Sequence, residues 1–258
     1  MISSFKKDKL TVKIYPSREE LGRASADEAG NMIKKLLESQ ENINIIFAAA
    51  PSQNEFLENL ITQETIEWER IKAFHMDEYI GLPQSAPQGF GNFLKERIFS
   101  KRPFRSVNYL NGQCESKDEE CTRYAQLLAT NPVDIVCMGI GENGHIAFND
   151  PHVADFNDKT LVKVVELDTQ CRQQQVNDGC FESIGQVPTH ALTLTVPALL
   201  KARFIYCMVP GMTKAMAVAN TVEQEVSERY PSTILRHHSN AIIYLDQQSV
   251  AKLYICDR

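Results

Sequence analysis

The sequence predicts an α/β fold around a mostly parallel sheet. Short apolar runs recur at Ile43 to Ala49, Ile71 to Met76, Asp134 to Met138 and Phe204 to Val209, as expected of strands buried on both faces. Several are followed by a Gly-, Pro- or Ser-containing turn and then by apolar residues at helical spacing, the order of βαβ units. A chain of 258 residues is long enough for one large domain of this kind with a substantial core.

The elements follow in order. Leu10, Val12 and Ile14 alternate as a first strand that ends at Pro16. Ser17 and Glu20 form a capping box that opens a helix running to about Leu37, with Leu21, Ala24, Met32, Ile33 and Leu36 as its apolar face. The strand Ile43 to Ala49 leads through Pro51 and Ser52 into a helical stretch, Glu55 to Leu60. Helices are expected near Phe90 to Phe99 and Glu119 to Leu128, with strands before Asp77 and before Gly139. The polar stretch His152 to Lys159 reads as a binding loop or lid, or equally as a plain surface excursion. Val162, Val164 and Leu167 alternate after it, and Ala191 to Leu200 and Phe204 to Val209 build a further unit. The turn Pro210-Gly211, a helix from about Thr213 and a late strand, Ile242 to Leu245, complete the chain. No repeat, linker or low-complexity segment divides it, so residues 1–258 read as a single domain.

Composition excludes several classes of function. A net charge of -6 disfavours non-specific nucleic-acid binding, which needs clustered cations, yet a few local cations suffice for one anionic metabolite. The seven cysteines, Cys114, Cys121, Cys137, Cys171, Cys180, Cys207 and Cys256, form no CxxC pair and suggest a reducing compartment. There is no basic-then-apolar leader and no apolar run of ~18 residues, so a cytoplasmic protein that neither spans nor binds a membrane is expected. No histidine or cysteine pair falls at zinc-ligand spacing, and no metal is expected.

Two segments carry chemistry. DIVCMGIGENGHIAFNDP, Asp134 to Pro151, is an apolar strand followed by a loop in which Gly139, Gly141 and Gly144 allow tight turning and close approach to a small molecule. His145 therefore sits at the carboxyl edge of a sheet, where ligands bind, although the spacing alone fits an ordinary loop histidine equally well. FHMDEYIGLP, Phe74 to Pro83, ends another apolar run in Asp77, Glu78 and Tyr79. Acid and base groups at two strand ends make a shared pocket plausible.

These two segments, together with VPGMTKAMAV in the same order, resemble the glucosamine-6-phosphate deaminase family, whose wider relatives are the 6-phosphogluconolactonases. Tyrosine after Asp-Glu and the IAFN run look like the deaminase branch. The resemblance implies a modified Rossmann-like three-layer sandwich without nucleotide or other cofactor, and a phosphosugar as the binding partner. It implies opening of the glucosamine 6-phosphate ring, aldose-ketose isomerisation and release of ammonia to leave fructose 6-phosphate. On this resemblance Asp77 moves the proton between C2 and C1, His145 shuttles the ring-oxygen proton, and Lys214 binds the phosphate, with Ser52 and Gly139 lining the substrate site.

The chain departs from the family pattern at four places. Asn143 stands where an aspartate is common and can orient an imidazole without supplying charge. Asp150 stands for a glutamate, one methylene shorter, and is expected to partner His145 alone. Ala48 to Gln53 replaces a Thr-Gly-Gly-Thr-Pro type turn, leaving Ser52 where a phosphate-contacting threonine would be. The family's lid arginine has no clear match, Arg172 lying several residues early. Competing readings are a lactone hydrolase, a deaminase for another amino sugar phosphate such as galactosamine 6-phosphate, and a non-catalytic sugar-phosphate sensor. Asp77 at a proton-transfer position argues against the first of these, and the retained catalytic set with no basic helix-turn-helix before Leu10 argues against the sensor. The oligomeric state, a homo-oligomer included, is not legible.

Overall fold

The computed structural model describes residues 1–254, and Cys256 lies outside the described residues. The alternation at Leu10, Val12 and Ile14 produces strand β2, Leu10–Tyr15, with those three side chains buried. It pairs antiparallel with β1, Ser3–Lys7, whose SSFKK sequence offers no apolar alternation and forms an exposed edge. Ser17 then accepts from the Glu20 amide at 3.3 Å and starts α1, Arg18–Leu37, as its capping box predicts.

The chain continues through β3, Ile43–Phe47; α2, Asn54–Leu60; β4, Ile71–His75; β5, Asp77–Tyr79; α3, Phe90–Leu94; β6, Ser106–Asn108; α4, Lys117–Thr130; and β7, Ile135–Met138. It closes with β8, Val162–Glu166; α5, Thr169–Asn177; β9, His190–Leu194; α6, Val196–Leu200; β10, Phe204–Val209; α7, Ala215–Glu223; and β11, Ala241–Asp246. Eight strands form the main sheet in the order β1-β2-β11-β10-β7-β3-β4-β6, and every pair except β1 with β2 is parallel. Successive side chains feed opposite faces. Ile45 and Phe47 pack with the apolar faces of α1, α2 and α3, whereas Ile46 and Val136 pack with those of α4, α6 and α7. The result is the expected three-layer sandwich.

A second sheet was not foreseen. After Met76 the chain leaves the main sheet, and β5, β9 and β8 pair antiparallel beside it. In β8, Val162 and Val165 are buried while Val164 is exposed, so the expected alternation through Val164 is corrected. No helix among the described residues is long and apolar enough to cross a membrane.

The strand order positions the site. After β3 the chain moves outward to β4 and β6, then returns to place β7 on the other side of β3. The loops leaving β3 and β7 diverge there and open a crevice at their carboxyl ends, the usual ligand position in such sheets.

Candidate active site

A cavity of about 370 Å³ occupies that crevice. Its walls come from the loop after β3, Ala48 to Ser52; from Met76 and Asp77; from the loop after β7, including Gly139, Gly141 and His145; and from Pro210 to Lys214 after β10. Asp77, His145, Ser52, Gly139 and Lys214, separated in sequence, therefore face one space.

Asp77 opens β5, and strand alternation separates it from its acidic neighbour. Asp77 turns into the cavity, whereas Glu78 turns away and accepts from the amides of Tyr79, Phe90 and Gly91 at 2.9, 3.1 and 2.8 Å. Glu78 also lies 3.5 Å from His75 Nε2. The two carboxylates thus have different employment: Glu78 holds the start of α3, and Asp77 accepts no hydrogen bond among the described residues. Burial, aided by the charge of Glu78, pushes Asp77 well above the usual carboxylate range.

His145 is held by its own loop. Its amide donates to Asn143 Oδ1 at 3.0 Å, and the Gly141 amide donates to its carbonyl at 2.9 Å. A Cβ on Gly141 would lie 2.1 to 2.4 Å from three atoms of the imidazole, so the ring lies directly over a position only glycine can occupy. Nδ1 is 3.0 Å from Asp150 Oδ1, approaching off the N–H axis. Asp150 is fully buried and accepts from Asn143 Nδ2 at 2.9 Å and from the Asp168 amide at 3.1 Å. Burial raises the Asp150 pKa, but the imidazole and these two donors outweigh it and leave the carboxyl below its ordinary value. Asn143 Nδ2 also donates to Asp168 Oδ2 at 3.0 Å. Asn143 thus orients the carboxylate behind the ring and braces the histidine backbone.

Folding also assembles donor sets that linear spacing conceals. His145, Asp150 and Cys171 each bring one metal-ligating atom within 4.8 Å of the others, as do Asp150, His152 and Asp168. In the first set burial against Asp150 raises the Cys171 thiol well above its ordinary value, which favours the protonated form rather than a ligand.

Lys214 lies in the turn before α7 and is buried; its amide donates to the Gly211 carbonyl at 3.1 Å, while its ammonium makes no hydrogen bond or ion pair among the described residues. Burial lowers its pKa, opposed by the fields of Asp178 and Glu142. Close packing explains Gly139, where a Cβ would meet Ser52 Oγ and Gln53 Nε2 at 3.1 Å.

The expectation for Arg172 is corrected. It does not line the cavity; its Nη2 donates to the carbonyls of Ile184 and Val187, both at 2.8 Å, because it sits on the α5 face turned toward that segment. The cavity face of α5 carries Gln174, Gln175 and Asp178 instead. Nor does any residue of 152–159 line the cavity: His152 Nε2 contacts the Glu166 carbonyl, and the Phe156 amide donates to Glu228. Missed altogether were Arg18, which lines the cavity from the start of α1, and Asp168, the N-cap of α5. A local signal that could have found one existed only for Asp168, an N-cap residue type ahead of Thr169–Asn177.

A switch-point crevice holding an unpartnered carboxylate, a carboxylate-backed imidazole and a buried ammonium is the equipment of an acid-base enzyme for an anionic ligand. Residues 16–244 match the model of the glucosamine-6-phosphate isomerases/6-phosphogluconolactonase family, and the chain belongs to that family. It is 32% identical over 242 residues to a glucosamine-6-phosphate deaminase of Bacillus cereus (strain B4264), covering 94% of this chain and 88% of the relative. Identity to the corresponding protein of Bacillus cytotoxicus is 33% over the same length and shares. Among solved structures, a monomeric glucosamine-6-phosphate deaminase superposes with a TM-score of 0.84 at 29% identity, covering 93% of this chain and 99% of that one. A 6-phosphogluconolactonase from Thermotoga maritima, at 20% identity and a TM-score of 0.74 over 92% of this chain and all of that one, shares the fold.

Proposed function

We propose that the protein is a glucosamine-6-phosphate deaminase: it opens the sugar ring, isomerises aldose to ketose and, taking up water, releases ammonia and fructose 6-phosphate. The observation that carries this reading is the meeting of Asp77, His145 and Lys214 in one cavity. Asp77 is the base that takes the C2 proton and returns it to C1; a buried carboxylate with raised proton affinity suits transfer from carbon better than a solvated one. His145 carries the ring-oxygen proton, with Asp150 stabilising the imidazolium that forms when it accepts one. Asn143 and the Asp168 amide keep Asp150 in place for that task. Lys214 receives the phosphate, and Ser52 and Gly139 form the adjacent wall.

Asp77 supports isomerisation over lactone hydrolysis, since hydrolysis requires no proton transfer between carbons. The six described cysteines are all free, in keeping with a reducing cytoplasmic setting. The deciding experiment is ammonia release from glucosamine 6-phosphate, run beside galactosamine 6-phosphate and 6-phosphogluconolactone. Ammonia from the first is expected; acid release from the lactone with no ammonia from either amino sugar would replace this reading.

A further inference from the structure

We propose that Arg18 is the second cation of the phosphate subsite, acting with Lys214; this rests on the function proposed above. The argument begins with charge. A phosphate monoester carries about −1.5 to −2 near neutrality, and Lys214 supplies one compensating charge while lying in the fields of Asp178 and Glu142. The lysines and arginines that line the cavity are Arg18 and Lys214. No other cation is supplied by α5, whose single arginine is bonded to the Ile184 and Val187 carbonyls.

Arg18 is also positioned for the role. Its Nε and Nη2 grip Glu55 at 2.6 and 2.9 Å, and Nη2 donates to the Pro51 carbonyl at 3.2 Å, fastening the guanidinium to the loop that carries Ser52. Nη1 makes no hydrogen bond among the described residues, so one edge of the planar fork is left for an oxyanion. Asp246, whose field reaches Arg18, accepts from the Gly211 amide at 3.1 Å, which ties the same region to the turn bearing Lys214. Glu55 then holds the arginine in position, and substrate binding need not break their pair.

The test compares the full-length protein with Arg18→Gln and Arg18→Lys. Calorimetric titration with inorganic phosphate reads the subsite without catalysis, and steady-state kinetics on glucosamine 6-phosphate read it with catalysis. Arg18→Gln is expected to weaken phosphate binding and raise KM, each on the order of tenfold, the effect of one charge-assisted hydrogen bond. Its kcat should stay within about threefold, as for loss of uniform binding, and Arg18→Lys should recover part of the loss. Unchanged phosphate affinity and KM in Arg18→Gln would overturn the proposal, as would absence of phosphate binding to the parent protein. A parent that releases no ammonia but whose phosphate binding depends on Arg18 would refute the deaminase reading and leave this inference standing.

Discussion

Asp77 pays for its position in stability. Its folded pKa is raised by burial and by Glu78, so between the ordinary value of 3.8 and the folded value the native state binds more protons than the unfolded one. Stability contributed by this group is therefore lost as pH rises through that window. Asp77→Asn is expected to abolish measurable ammonia release, by about 100-fold or more, while melting at a higher temperature than the parent near neutrality. The advantage should shrink as pH falls toward the ordinary carboxylate value, which thermal melts across pH would show; a variant less stable at every pH contradicts the account. Asp150 behaves oppositely, its pKa net lowered by His145, Asn143 and the Asp168 amide despite burial. Asp150→Ala should slow turnover of the cyclic sugar phosphate by roughly 10- to 100-fold, and unchanged turnover would remove it from ring opening. At this scale the sequence announced Asp77 and His145 through long motifs. It misdirected attention to Arg172, because one arginine on a largely polar helix gives no sign of which face it occupies. Arg18 was invisible for a related reason: at the first position of a helix, an arginine that lines a cavity looks the same as one in solvent.

Among the elements, the loop after β7 depends most on backbone detail. Gly141 permits the imidazole to lie against the chain, and a methyl group there would overlap it. Gly141→Ala should therefore displace His145 and lower kcat on the order of 10- to 100-fold. Phosphate affinity at Lys214 should persist, as titration with inorganic phosphate would establish; equal loss of both would point to collapse of the whole loop. The buried strands and the capped helix α1 were legible because apolar runs and a Ser-x-x-Glu box leave local marks. The three-residue strand β5 and the edge strand β1 were not, since pairing across the fold rather than their own pattern makes them strands. The polar stretch at 152–159 suggested a lid by its composition alone, and its composition serves equally well for the surface turn that it forms.

For the molecule as a whole, the cavity joins loops from β3, β7 and β10 with a residue of the smaller sheet, so a ligand there adds contacts to all of these segments at once. Binding should stabilise the entire fold. With Asp77→Asn preventing consumption, glucosamine 6-phosphate at a hundredfold its Kd should add about 2.7 kcal/mol, a rise in Tm on the order of 5–10 °C for a chain of this size. No rise in a thermal melt would mean that the variant cavity does not take the sugar. One consequence concerns the passage between the sheets. Met76 alone separates β4 from β5, and its carbonyl accepts from the Leu194 amide at 2.8 Å, so the stitch has no slack. Because side chains along β5 take opposite sides by odd and even count, lengthening that stitch by one residue would exchange the places of Asp77 and Glu78. The protein is thus committed to a parity: gaining or losing a single link at Met76 would turn the Asp77 carboxylate away from the crevice.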